Sequence, residues 1–139
     1  MKKKEQAATT QAAEYVAGIG ASAGGLEALQ EFFKAVPLQT GIGFVVIQHL
    51  SPDYKSLMDE LLARYTKLPI KKAEEGMLVE ADTVYLIPAR KNLTIFHGKL
   101  MLEDQGLRHG IILPIDIFLR SLARDLEKRA IGIILSGTG

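Results

Sequence analysis

Residues 15–49 run strand, glycine-rich turn, helix and strand in unbroken succession, and few folds accept that order. Residues 15–19 are apolar, do not alternate, and end in glycines, which predicts a strand buried on both faces of a parallel sheet. From Gly25 the period changes. Leu26, Leu29, Phe33 and Val36 recur at helical spacing and stop before Pro37. Residues 44–48 form a second apolar run that leads into His49. Ser51-Pro52 then reads as an N-cap with proline in the first turn, opening a helix through about residue 65. This is the βαβ pattern, whose crossover is right-handed.

Farther along, short strands are expected near residues 70–72 and at 83–87. Residues 93–96 and 99–102 flank His97-Gly98 and predict a β-hairpin with a tight turn. A helix is expected over 115–127, with Ile115, Leu119, Leu122 and Leu126 on one face. A buried strand at 131–135 then enters Ser136-Gly137-Thr138-Gly139. The fold class is therefore α/β: a three-layer sandwich with a mostly parallel, doubly wound sheet and a hairpin. No helix follows the last strand to cover it, so the natural domain is expected to continue past Gly139. No internal repeat is present.

Composition narrows the function classes. The 139 residues are 47% hydrophobic and 24% charged, which suits one globular domain. A net charge of +1 provides no broad basic surface for nucleic acid. The absence of cysteine removes thiol nucleophiles, disulfides and cysteine metal sites, in keeping with a cytoplasmic location. Residues 1–14 combine lysines with small polar residues and read as a disordered leader or linker, with the catalytic domain at 15–139. No apolar run has the length of a membrane span, so a soluble protein is expected.

The turn after the first strand, Gly18-Ile19-Gly20-Ala21-Ser22-Ala23-Gly24, admits three readings. As G-x-S-x-G it is a nucleophile elbow, with Ser22 lifted above the sheet and a helix N-terminus nearby to stabilise an oxyanion. As G-x-G-x-x-A it fits a dinucleotide fingerprint, but Gln48 and His49 stand where that reading expects an acidic ribose ligand. It is also compatible with a plain tight turn. His49 favours the first reading. Ser22 and His49 follow adjacent predicted strands, whose carboxyl ends border one crevice, and a histidine there can exchange the serine proton. The alternative for His49 is a helix-capping or solvated residue. His97 at a hairpin tip and His109 in a loop read as exposed, and no cluster makes a metal site. The charged runs at 71–75 and 124–129 read as solvated faces.

These residues resemble the catalytic domain of the CheB-type protein-glutamate methylesterases, from about residue 16 to Gly139. The resemblance rests on Gly18-Ile19-Gly20-Ala21-Ser22-Ala23-Gly24-Gly25, Val46-Ile47-Gln48-His49-Leu50, Pro114-Ile115-Asp116 with Arg120-Ser121-Leu122-Ala123, and residues 130–139. The Leu-Ser-Gly-Thr-Gly ending is most similar to the branch fused to methyltransferase or sensory modules. The resemblance implies hydrolysis of glutamate γ-methyl esters on chemoreceptors, with glutamine deamidation in some members and no cofactor. It implies Ser22 as nucleophile, His49 as base, and the backbone N–H groups of Ala23 and Thr138 as oxyanion donors. The family's catalytic aspartate follows the Gly-Thr-Gly turn, so no residue of this chain is assigned that role. The usual receiver domain is also outside it. A non-catalytic sensory or interaction module of the same fold is the alternative from a different class.

Overall fold

The computed structural model describes residues 11–21, 25–48, 58–105 and 113–135. Its centre is a five-stranded sheet built from β1 (Tyr15–Ala21), β2 (Ile42–Gln48), β3 (Ile70–Lys72), β5 (Val84–Leu86) and β8 (Ala130–Leu135). The strands lie in the order β3-β5-β2-β1-β8, and every neighbouring pair is parallel. A second sheet, antiparallel, joins β4 (Met77–Leu78), β7 (Lys99–Asp104) and β6 (Lys91–Phe96) in that order. Helices α1 (Gly25–Ala35), α2 (Met58–Ala63) and α3 (Pro114–Leu126) complete the described elements.

Side chains alternate across the parallel sheet and divide the interior into two cores. On one face Ala17, Ile19 and Ala21 of β1 meet Leu29 and Phe33 of α1 and Met58 and Leu62 of α2. Each helix offers residues four apart, the spacing that keeps an apolar stripe on one side. Phe32, Phe33 and Phe44 lie edge to face there, with ring centroids 5.1 to 6.2 Å apart. On the other face Val16, Val45, Ile47 and Tyr85 pack with Phe118, Leu122 and Leu126 of α3 and with Leu93, Ile95 and Leu100 of the small sheet. Tyr85 is fully buried. Its hydroxyl donates to the Leu78 carbonyl (3.1 Å) and accepts from the Glu80 N–H (2.8 Å), and burial pushes its pKa up.

The hairpin forms as its sequence predicts, with His97 (φ 52°) and Gly98 (φ 77°) both in the left-handed region that a two-residue turn requires. Helix α3 runs along the open edge of β6. Ser121 Oγ accepts from the Ile95 N–H (3.1 Å), while the Asp125 carboxylate accepts from the N–H groups of His97 (2.7 Å) and Gly98 (2.9 Å). A strand edge that would otherwise expose unpaired donors is thereby covered. Asp125 and Glu75, which accepts from the Leu102 N–H, lie in runs expected to be solvated faces; Glu75 is exposed, and both side chains also pin the small sheet.

Three further details depart from the sequence reading. The expected leader reaches too far: Ala12 bridges to Glu80, Ala13 is buried against Val79, and the Ala81 N–H donates to Gln11. The Ala13 methyl fills a gap beside Gly43, which polar composition alone does not reveal. Among the described residues β8 pairs only with β1, and Ile134 is 64% exposed where a buried strand is expected. β4 was not expected, since two residues carry no readable period. The expected Ser51-Pro52 helix cap lies outside the described residues.

Candidate functional site

The glycines of the first turn have a packing reason. Gly18 and Gly20 occupy the face of β1 that α3 crosses. A Cβ on Gly20 would lie 2.7 Å from Ile115 Cγ2, and one on Gly18 would lie 2.8 Å from Leu119 Cδ2 and 3.0 Å from Phe118. Real side-chain contacts do not come that close, so these glycines admit the helix. The same pair therefore satisfies the dinucleotide fingerprint without any ligand. Ile115, in the Pro114-Ile115-Asp116 segment, fills the space that Gly20 leaves. Gly25 does likewise on the opposite face, where its Cβ would meet that of Ala21 at 2.7 Å.

The register of the sheet decides which loops share a border. Ala21 pairs with Gln48 on one side and with Leu135 on the other, so the last residues of β1, β2 and β8 form one row. Adjacent strands in such a row are about 4.8 Å apart. Ser22, His49 and Ser136 are the next residues in the chain after these three. The strand order also reverses at this row. α1 leads from β1 to β2 across one face, whereas α3 leads to β8 across the other. Open α/β sheets place their ligand crevice at such a reversal, outside the carboxyl ends of the strands.

Ser22, Ala23, His49, Thr138 and His109 themselves lie outside the described residues. His97 is described and is exposed at the hairpin tip, its ring against Phe96 with centroids 4.0 Å apart. It belongs to the β6–β7 turn, and its backbone is held by Asp125. Gln48 ends β2 with its Oε1 buried and without a hydrogen-bond partner; Asn92, fully buried in β6, lacks partners for both amide atoms. In the sequence Gln48 stands only as the residue replacing an acidic ribose ligand and as part of the motif at residues 46–50, and Asn92 carries no signal, because an amide within a hairpin has no distinguishing pattern. Among the described residues, no three His, Asp or Glu side chains stand together in a metal-holding arrangement, and no helix is long and apolar enough to cross a membrane.

Comparison with known proteins gives a consistent result. A family profile described as CheB methylesterase matches residues 17–139. A protein-glutamate methylesterase/protein-glutamine glutaminase 3 of Burkholderia orbicola is 33% identical over 95% of this chain, and the match spans 39% of that relative. One from Leptospira interrogans, named a putative enzyme of the same kind, is 31% identical over 86% of this chain and 62% of its own length. The crystal structure of the Thermotoga maritima CheB methylesterase catalytic domain superposes with a TM-score of 0.77 at 27% identity, covering 90% of this chain and 68% of that one. The chain thus spans less than two thirds of either curated relative.

Proposed function

The chain belongs to the CheB methylesterase family, and on that premise we propose that it carries the nucleophile and base of a protein-glutamate methylesterase that acts on methylated chemoreceptors. The observation that supports this most directly is the row formed by Ala21, Gln48 and Leu135. It gives the loops bearing Ser22, His49 and Thr138 a common origin at the reversal point of the sheet. The dinucleotide reading loses its support, because Gly18 and Gly20 are accounted for by α3.

In this reading Ser22 Oγ attacks the γ-carbonyl carbon of a glutamyl methyl ester while His49 accepts the hydroxyl proton. The carbonyl oxygen becomes an oxyanion, stabilised by the backbone N–H groups of Ala23 and Thr138. Collapse expels methoxide, which leaves as methanol with the proton held by His49. Water, deprotonated by the same imidazole, then cleaves the acyl-serine to glutamate. A glutamine substrate follows the same course with ammonia as the leaving group. In the same reading the protein acts in chemotaxis or related two-component signalling, in the cytoplasm, with receiver or methyltransferase modules as its companions.

The test is methanol release from a methyl-esterified chemoreceptor fragment. Ser22→Ala is expected to lower kcat/KM by at least about 10³-fold, the scale on which serine hydrolases depend on their nucleophile. Substrate binding should persist in that variant. Undiminished turnover in Ser22→Ala would exclude the assignment.

A further inference from the structure

The amino-terminal end of the sheet, opposite the row that ends β1 and β2, carries a feature with no part in ester hydrolysis. A depression of about 520 Å³ lies where the carboxyl ends of α1 and α2 approach each other. Leu38 and Tyr65 border it with apolar side chains and Lys34, Arg64 and Lys67 with cations, over a floor closed by the buried Phe33, and its exposed lining is more polar than apolar. Leu38 is 52% exposed and Tyr65 38%, both high for large apolar side chains. Singly, such residues are ordinary; together in one concavity bordered by charge they are characteristic of an interaction site.

The charge here is unbalanced. Among the described residues, the ion pairs are Lys71 with Glu80 and Lys91 with Asp104, and neither involves Lys34, Arg64 or Lys67. The nearby Asp82 carboxylate is engaged, accepting from the N–H groups of Thr40 (2.7 Å) and Gly41 (3.0 Å) and so fixing the loop that presents Leu38. Glu31 shares α1 with Lys34, and Glu60 lies in α2, which Arg64 follows, but neither glutamate lines the depression. A lysine in the last turn of α1 suits the helix dipole, but Arg64 and Lys67 follow α2 and place further cations around the same hollow.

We propose that this depression is a docking surface for an acidic segment of a protein partner, which seats an apolar side chain between Leu38 and Tyr65 and sets carboxylates against Lys34, Arg64 and Lys67. Three cations around a hollow bordered by Leu38 and Tyr65 suit a short carboxylate-bearing peptide. They are too few for the many phosphate contacts of nucleic-acid binding. The surface lies roughly 20 Å from the residues that precede Ser22 and His49, the length of a seven-residue strand. A partner held there leaves the catalytic edge open to substrate.

Fluorescence anisotropy with a labelled helix-forming peptide of leucine and glutamate tests this on the whole protein. The peptide is expected to bind, and its counterpart with lysine in place of glutamate is not. Lys34→Glu/Arg64→Glu/Lys67→Glu should weaken binding at least about tenfold, and Leu38→Ser should weaken it several-fold with the cations intact. Raising salt from about 50 to about 300 mM should weaken it too, because exposed charges are screened. All the substituted positions are exposed, and thermal melts will verify that the variants fold. Equal binding of the lysine peptide, or unchanged affinity in the triple variant, overturns the proposal. So does failure of the glutamate peptide to bind while vesicles of anionic phospholipid or duplex DNA bind through the same cations. The reading as an esterase is separate, since the triple variant should retain parental turnover of a small methyl ester.

Discussion

The two faces of β1 are packed by opposite rules. Toward α1 the strand contributes Ala17, Ile19 and Ala21, and the helix answers with Leu29 and Phe33, so bulk is shared between the layers. Toward α3 the strand contributes Val16, Gly18 and Gly20, and almost all the volume comes from Ile115, Phe118, Leu119 and Leu122 of the helix. The difference teaches that a glycine-rich strand end need not be designed for a ligand. Here it draws a helix close on one face, while the turn that follows remains available for chemistry. The two roles meet at Gly20, two residues before Ser22.

Substitutions that distinguish the faces will break or sharpen this contrast. Phe33→Ala removes a fully buried ring from the α1 side and should cost about 3–5 kcal/mol in urea denaturation. No cavity-free relaxation is open to it, because Phe32 and Phe44 already pack edge-on against the ring. Gly20→Val adds volume on the α3 side and should cost about 1–3 kcal/mol through the clash with Ile115. Combining Gly20→Val with Ile115→Ala should recover part of that loss, a non-additivity of about 0.5–3 kcal/mol expected for residues in contact. Strict additivity of the pair would show that helix volume does not set the glycine requirement. The smallest effect is expected for Ile19→Val, about 0.5–1.5 kcal/mol, since one methylene is lost from a face where neighbours of ordinary size surround it.

The same contrast bears on the loop chemistry. Gly20→Val displaces α3 from the strand that ends at Ala21, so esterase activity should fall by more than the loss of folded protein accounts for. Phe33→Ala acts farther from that end, near the amino-terminal side of the sheet, and its activity loss should follow stability alone. Measuring kcat/KM and the urea midpoint on both variants separates the two cases.

Much of this was legible in the residues. The apolar runs of β1 and β2 and the four-residue spacings of α1 and α3 fix their own elements, because burial selects one period for a strand and another for a helix. His97-Gly98 fixed the hairpin, as few dipeptides tolerate two left-handed residues. Ser22 and His49 were recognisable as candidates because each follows a strand of a parallel sheet. Long-range relations were not legible. The Ile95–Ser121 and His97–Asp125 hydrogen bonds join residues 26 and 28 positions apart, and a serine or aspartate on a helix looks solvated until its partner is known. The fate of residues 11–14 depended likewise on Val79 and Glu80, far away in the chain.

By itself, then, the sequence determined the element types, the parallel βαβ start and the positions of the glycines, all of which follow from local period and backbone sterics. Tertiary structure alone decided that β8 lies beside β1. It also decided that Ala21, Gln48 and Leu135 align, that Gly18 and Gly20 face α3, and that three cations without an ion pair among the described residues border one hollow. Those outcomes depend on which surfaces meet, and packing complementarity between distant segments is written in no single stretch of the chain.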